Sequence, residues 1–262
     1  MTLATPLTTL ILIGLPVAIG AGLVRGFSGF GFSALTVAGV SLFMAPAPLV
    51  PAVLILEVVA SLSVWRSAVR ALDATWLRPL IVGNLFFVPL GVLMLAYLPG
   101  VMLRLVVGLA LLLTALGLRA RGDHRIDPTR SVKGATGALS GLLNGLAASG
   151  GVAAALMMTA TNVPPLALRG TIITFLVFGC SYTLLWAGLI SASAGAGFNL
   201  FGPDTLIWVA VLAPGMFLGM WIGRKAFVVA NPRRFRQLVL NLLILMSGLG
   251  VARALFDLMQ QG

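Results

Sequence analysis

The stretch Gly22-Leu23-Val24-Arg25-Gly26-Phe27-Ser28-Gly29-Phe30-Gly31 sets one cation among four glycines, inside an apolar run from Leu7 to Ala45. An arginine in hydrocarbon needs an anionic partner or water, and closely spaced glycines remove the side chains that keep a helix continuous. The run therefore reads as a helix that breaks within a membrane. Downstream, Gly141-Leu142-Leu143-Asn144-Gly145 lines up with Gly22 to Gly26, and Gly150 and Gly151 follow it as Gly29 and Gly31 follow the first copy. A proline pair comes later in each case, Pro46 and Pro48 or Pro164 and Pro165. The repetition gives the two breaks paired positions in a duplicated chain.

Working outward, the composition agrees. Of 262 residues, 60% are hydrophobic and 9% charged, against about 25% charged in a typical soluble domain. A water-soluble globule is excluded, and the fold class expected is an all-α integral membrane protein, a polytopic helical bundle. Apolar segments run Leu7 to Val24, Phe30 to Ala45, Leu49 to Trp65, Pro79 to Leu98 and Val101 to Leu118. Beyond the polar stretch Arg119 to Lys133 they run Gly134 to Ala147, Gly151 to Ala160, Leu166 to Ile190, Thr205 to Ile222 and Leu238 to Leu255. Nothing basic precedes Leu7, so the first run is kept in the mature protein and not assigned to a secretory signal. The net charge of +11 sits in short bursts between apolar runs, which signals topology and not nucleic acid. One cysteine, Cys180, and one histidine, His124, leave no disulfide framework, zinc set or cysteine–histidine pair. No cofactor or metal is expected, and no enzyme activity.

The basic bursts are Arg66, Arg70 and Arg78; then Arg119, Arg121, Arg125, Arg130 and Lys133; then Arg224, Lys225, Arg233, Arg234 and Arg236. The positive-inside rule places all three in the cytoplasm, and the connection Ser191 to Pro203, which carries no positive charge, outside. A span takes roughly 20 helical residues, so Gly134 to Ala160 is too short for two crossings. A re-entrant hairpin followed by one span supplies the odd number of crossings this topology needs, with both termini outside. The copies, residues 1–118 and 134–262 joined by a cytoplasmic linker 119–133, then have opposite orientation. Pro89-Leu90-Gly91 resembles Pro214-Gly215-Met216, and Arg104 resembles Arg236, in support of the duplication. Two inverted-topology repeats with broken or re-entrant helices are typical of alternating-access transporters.

Gly26-Phe27-Ser28-Gly29-Phe30-Gly31 with Pro46 to Pro51, and Gly141 to Gly151 with Pro164-Pro165 and Arg169-Gly170-Thr171, resemble the TauE/SafE family of sulfite and organosulfonate exporters over nearly the whole chain. The resemblance implies a carrier of small anions such as sulfite, sulfoacetate or thiosulfate, frequently an exporter, in a bacterial cytoplasmic membrane. Phe30 and Phe32 flank Gly31 where many members have a plainer glycine run.

At a break, the N-terminal end of each half-helix offers free N–H groups and a partial positive charge. Ser28 to Ser33 and Ser149 to Ala153 would supply two such sets, with hydroxyls from Ser28, Ser33 and Ser149, and with Gly29, Gly31, Gly150 and Gly151 allowing close approach of an oxyanion. Arg25 is the leading fixed charge, with snorkelling to lipid phosphate as the alternative; its mate Asn144 donates without charge. Arg169 opens a long helix and reads first as a snorkelling helix-start residue, while the family resemblance adds a little weight to its reading as a ligand. Glu57 is the carboxylate deepest in an apolar run and the candidate for proton coupling, unless a neighbouring arginine makes it half of a structural salt bridge. The other acids read as solvated, Asn84, Asn162, Asn241 and Thr171 as path-lining or helix-bonding groups, Cys180 as packing, and the tryptophans as an interfacial belt. The expected function is a secondary transporter exporting a small sulfur-containing anion, proton-coupled or driven by the anion's own gradient. Alternatives are a thiosulfate or sulfate importer, an anion channel and, from a different class, an intramembrane enzyme. The expected partners are that anion and the lipid bilayer, with a homodimer left open.

Overall fold

A computed structural model describes residues 7–43, 49–120, 127–193, 201–227 and 232–260. Pro46 and Pro48, the loop residues Arg121, His124 and Arg125, and the centre of the Ser191 to Pro203 connection lie outside the described residues. Among the described residues eleven α-helices follow one another: α1 Leu7–Ser28, α2 Phe32–Val40, α3 Leu49–Leu62, α4 Trp65–Ala68, α5 Ala74–Tyr97, α6 Gly100–Ala120, α7 Arg130–Ala147, α8 Gly150–Ala160, α9 Pro165–Ser193, α10 Pro203–Phe227 and α11 Pro232–Met259. No strand occurs among the described residues. Backbone groups in hydrocarbon must be satisfied within the segment, and an apolar chain does this by staying helical.

Local signals start the helices where the chain leaves the apolar layer. Asp73 caps α5 by accepting the Thr75 N–H at 2.8 Å, and Thr129 caps α7 by accepting the Val132 N–H at 3.3 Å. Prolines occupy the first position of α9, α10 and α11, where the missing N–H has no partner to lose. The Thr129 cap starts α7 four residues earlier than the apolar run suggests, inside the stretch read as a linker. That gives α7 18 residues, about 27 Å of helix at 1.5 Å per residue.

Among the described residues α1, α5, α6, α9 and α10 are long and apolar enough to cross a membrane. The Leu49 to Trp65 run is not one rod: α3 bends by 62° into Trp65–Ala71, which comprises α4 and a 3-10 turn. The first break falls at Gly29 and Gly31, whose φ angles of 86° and 95° are left-handed values that glycine adopts without strain. The second falls at Ala148, φ 53°. There the Ala148 N–H bonds the Asn144 carbonyl at 3.0 Å and the Ser149 N–H reaches back to Leu143 at 3.1 Å, closing the helix by a left-handed cap. Gly145 and Gly150 do not make the turn; they lie against backbone, where a Cβ on Gly145 would come within 2.4 Å of the Val88 carbonyl and one on Gly150 within 2.3 Å of the Ser140 carbonyl.

Two tight helix pairs frame the bundle. α1 runs along α10 and α5 along α7. A Cβ on Gly22 would lie 2.5 Å from the Met216 carbonyl, and one on Gly26 2.4 Å from that of Met220. In the other pair, a Cβ on Gly83 would lie 2.0 Å from the Gly137 carbonyl carbon. Small residues at these crossings allow backbone-to-backbone packing, the main attraction left to helices already surrounded by apolar lipid.

Contacts also gather the basic segments at one end of the bundle. Lys133 Nζ donates to Thr75 Oγ1 at 2.8 Å, the Asp73 N–H donates to Thr171 Oγ1 at 2.8 Å, and Gly170 abuts the backbone of Ala68 and Ala71. Gly29 packs against Arg169, near the start of α9. The first break thus sits towards the basic end, and not halfway along the bundle as its place in an apolar run suggests.

Gly83→Val is expected to destabilise the detergent-solubilised protein by about 1–3 kcal/mol or more through overpacking. Gly134→Val, at a position with nothing within 4 Å of the added Cβ, is expected to leave the thermal unfolding midpoint close to that of the parent. Equal midpoints for the two variants would refute the close-packed crossing.

Candidate functional site

Where α1 ends, Arg25 turns inward, 3% exposed, and meets Glu57 of α3, which is fully buried. Arg25 Nη1 donates to Glu57 Oε2. Its Nη2 donates to Ser61 Oγ at 2.7 Å and lies 3.4 Å from the Glu57 carbonyl oxygen. The other carboxylate oxygen, Glu57 Oε1, accepts the Ser33 N–H at 3.1 Å. Ser33 follows Phe32 at the start of α2, so this N–H is one of the donors that a helix start leaves unmatched. The carboxylate is thus held by a guanidinium and by the amino end of a helix, the two groups the sequence assigns to an external anion. Thr36, one turn further along α2, is buried with no partner for its hydroxyl among the described residues.

Glycine shapes the other side of this cluster. A Cβ on Gly29 would lie 2.9 Å from Arg169 Cγ, so the bare backbone at the break makes room for the stem of that arginine. A small cleft opens here, lined by Arg25, Gly26, Gly29, Arg169, Met220 and Arg224 among others. Arginines from α1, α9 and α10 therefore share one space. Ser28 contributes no free donor to it: its hydroxyl donates to the Val24 carbonyl at 2.8 Å or the Phe30 carbonyl at 2.7 Å and accepts from the Phe30 N–H, tying the break together.

The second break is built from neutral groups. Asn144 Nδ2 donates to Thr183 Oγ1 at 3.1 Å and to Asn84 Oδ1 at 3.3 Å. A Cβ on Gly179 would lie 2.9 Å from both amide side chains. Cys180 Sγ lies 3.9 Å from Asn144 Oδ1, so this cysteine packs on the polar cluster. Ser149 donates to the Leu143 carbonyl at 3.3 Å, and Gly151 lies under Leu176. Asn84, Asn144, Ser149 and Thr183 are all buried, so this cluster is closed while the Arg25 cluster borders a cleft.

The structure brings Arg25, Gly29, Ser33, Glu57 and Arg169 together, and separately Asn144, Ser149, Gly150 and Gly151. Gly31 serves as the residue before α2, and its role is in the turn. Sequence reasoning missed Ser61 and Arg224. Ser61 follows Glu57 by four residues, one helical turn on the same face, and that spacing was the available signal. Arg224 reads from the sequence as a loop charge, because only the pairing of α10 with α1 brings it beside Arg25.

The family model for Sulfite exporter TauE/SafE matches residues 14–249. The chain belongs to that family of transporters. No curated protein and no solved structure matches it.

Arg25→Gln leaves the Glu57 carboxylate buried without its cation and is expected to cost about 3–5 kcal/mol of stability. Glu57→Gln in the same chain is expected to recover most of that loss. Chemical denaturation of the two single variants and the double variant checks this; additive losses would show that the two side chains do not interact.

Proposed function

We propose that this TauE/SafE transporter moves a small sulfur-containing anion, such as sulfite or an organosulfonate, out across the cytoplasmic membrane by alternating access, and that Glu57 holds the substrate's place when the site is empty. The observation that carries the reading is the double engagement of the Glu57 carboxylate, by Arg25 and by the Ser33 N–H. A sulfur oxyanion presents the same chemistry, negative oxygens seeking a guanidinium and a backbone donor. When it binds, Glu57 must give up both partners. Proton uptake makes that exchange cheap, since a neutral carboxyl no longer competes for Arg25. Anion and proton then bind together and travel the same way, so acid on the binding side favours loading, and net export is driven by the anion's own outward gradient.

The two clusters support alternating access in a duplicated, inverted chain. Arg25 reaches Glu57 and Ser61, four residues apart on α3, while Asn144 lies over Gly179 and bonds Thr183, four apart on α9. α1 pairs with α10 of the other half, and α7 with α5 of the other half. We read residues 1–118 and 134–262 as the two copies, with both termini outside and the basic end in the cytoplasm. The cleft beside Arg25 then faces the cytoplasm, while the hydrogen-bonded cluster of Asn84, Asn144 and Thr183 closes the path towards the other side. Ser149, Gly150 and Gly151 would form the second half of the binding site once that cluster opens.

Flux of labelled thiosulfate and sulfoacetate into vesicles of known orientation tests this, both being anions of fixed charge near neutrality. Saturable flux that accelerates on acidifying the binding side is expected. Glu57→Gln should remove the pH dependence and keep exchange at constant pH. Arg25→Gln in the Glu57→Gln background should raise the KM about tenfold or more, the loss of one charge-assisted hydrogen bond. Absence of flux for sulfite, thiosulfate and sulfoacetate alike would reject the proposal, and conductance without saturation would favour a channel.

A further inference from the structure

We infer that Arg169 and Arg224 form a separate oxyanion-binding subsite at the mouth of the cleft, which takes a sulfate-like anion from the basic end before it reaches Arg25. The inference deepens the transport reading and rests on it for the anion's route.

Arg25, Arg169 and Arg224 all line the cleft, and the Glu57 carboxylate lies behind Arg25, its oxygens engaged by Arg25 and the Ser33 N–H. Arg169 and Arg224 bring two further positive charges into the same small space, close enough that Arg224 acts on Arg169 as a like charge. A narrow opening lined by one sign of charge concentrates the opposite ion. Two guanidiniums from different helices also offer several N–H donors to a tetrahedral or pyramidal oxyanion.

Position makes this a mouth and not an extension of the Arg25 locus. Gly26 of α1 lies directly on the Met220 backbone of α10, which fixes Met220 as a wall at the depth of Arg25. Arg224 is one helical turn further towards the basic end and is exposed. Arg169 approaches from α9, its stem laid across the bare Gly29 backbone. A side chain at position 29 would strike that stem, so the first break is also the seat of the mouth arginine. The neighbouring cation, Lys225, sits 3.7 Å over the Trp221 ring and does not line the cleft. It carries the same charge at the same end and serves as the internal control.

The ligand chemistry, a singly or doubly charged oxyanion, is shared by free sulfate or thiosulfate and by a lipid phosphate, and the two sources are separable. Binding of inorganic sulfate and thiosulfate to the full chain is measured by calorimetry in nanodiscs of phosphatidylcholine, and again with phosphatidylglycerol added, over a chloride series. Arg224→Gln is expected to weaken binding about tenfold and to flatten its salt dependence. Arg224→Lys should restore part of the affinity, and Lys225→Gln should leave it unchanged. Binding should persist in the Arg25→Gln, Glu57→Gln double variant, because the mouth does not use that pair. Several results would overturn the subsite: no binding of either anion, wild-type affinity in Arg224→Gln, an equal loss in Lys225→Gln, or an effect confined to discs with phosphatidylglycerol. Mouth binding without flux would reject the transport reading alone. Flux with Arg224→Gln indistinguishable from the parent would reject the subsite alone.

Discussion

The burial of one arginine in an apolar bundle organises the rest of this molecule. A guanidinium removed from water needs an opposite charge and enough acceptors for its N–H groups, and Arg25 finds Glu57 and Ser61, both on α3. The carboxylate in turn needs more than one donor, and the start of α2 provides it through Ser33. Three helices are thereby joined at one point. That point lies beside a break in the chain, where a helix start leaves backbone donors uncommitted.

Such a junction has to be placed accurately, and glycine packing does the placing. Gly22 and Gly26 bring α1 onto the backbone of α10, so Arg25, between them in sequence, can turn only towards α2 and α3. On the other side of the molecule Gly137, Gly141 and Gly145 bring α7 onto α5 in the same manner, and Asn144 faces Asn84 and Thr183. One pair of packed helices carries a charged junction and the other an uncharged one. The scaffold is alike; the chemistry mounted on it differs.

Much of the fold was legible in the chain because a lipid environment restricts the options so severely. Long apolar runs must be helical, basic residues must gather at the ends, and paired glycine clusters mark the interruptions. The site was legible in its residues but not in its wiring. Arg25 and Glu57 each stand out as a charge in an apolar run, yet nothing in a sequence says that residues 32 positions apart are partners. Their pairing depends on how steeply α2 and α3 fold back on α1. Likewise, the Ser33 N–H could be recognised as available, while its capture by Glu57 required knowing which helix lay opposite. The 62° bend after Leu62 was hidden because Ser63, Val64 and Trp65 continue the apolar run without a proline or glycine. The second turn falls in the gap between the apolar runs that end at Ala147 and begin at Gly151, but the residue that makes it was hidden: Ala148 adopts the left-handed conformation that its glycine neighbours advertise more strongly.

The amide cluster around Asn144 has a further bearing on how such a molecule behaves at its two faces. Side-chain amides and a hydroxyl attract a negative solute through dipoles alone, far less than a guanidinium does in the same low-dielectric setting. The two junctions therefore differ in what disturbs them: added salt screens the charged one, which borders a cleft, and leaves the closed, uncharged one untouched.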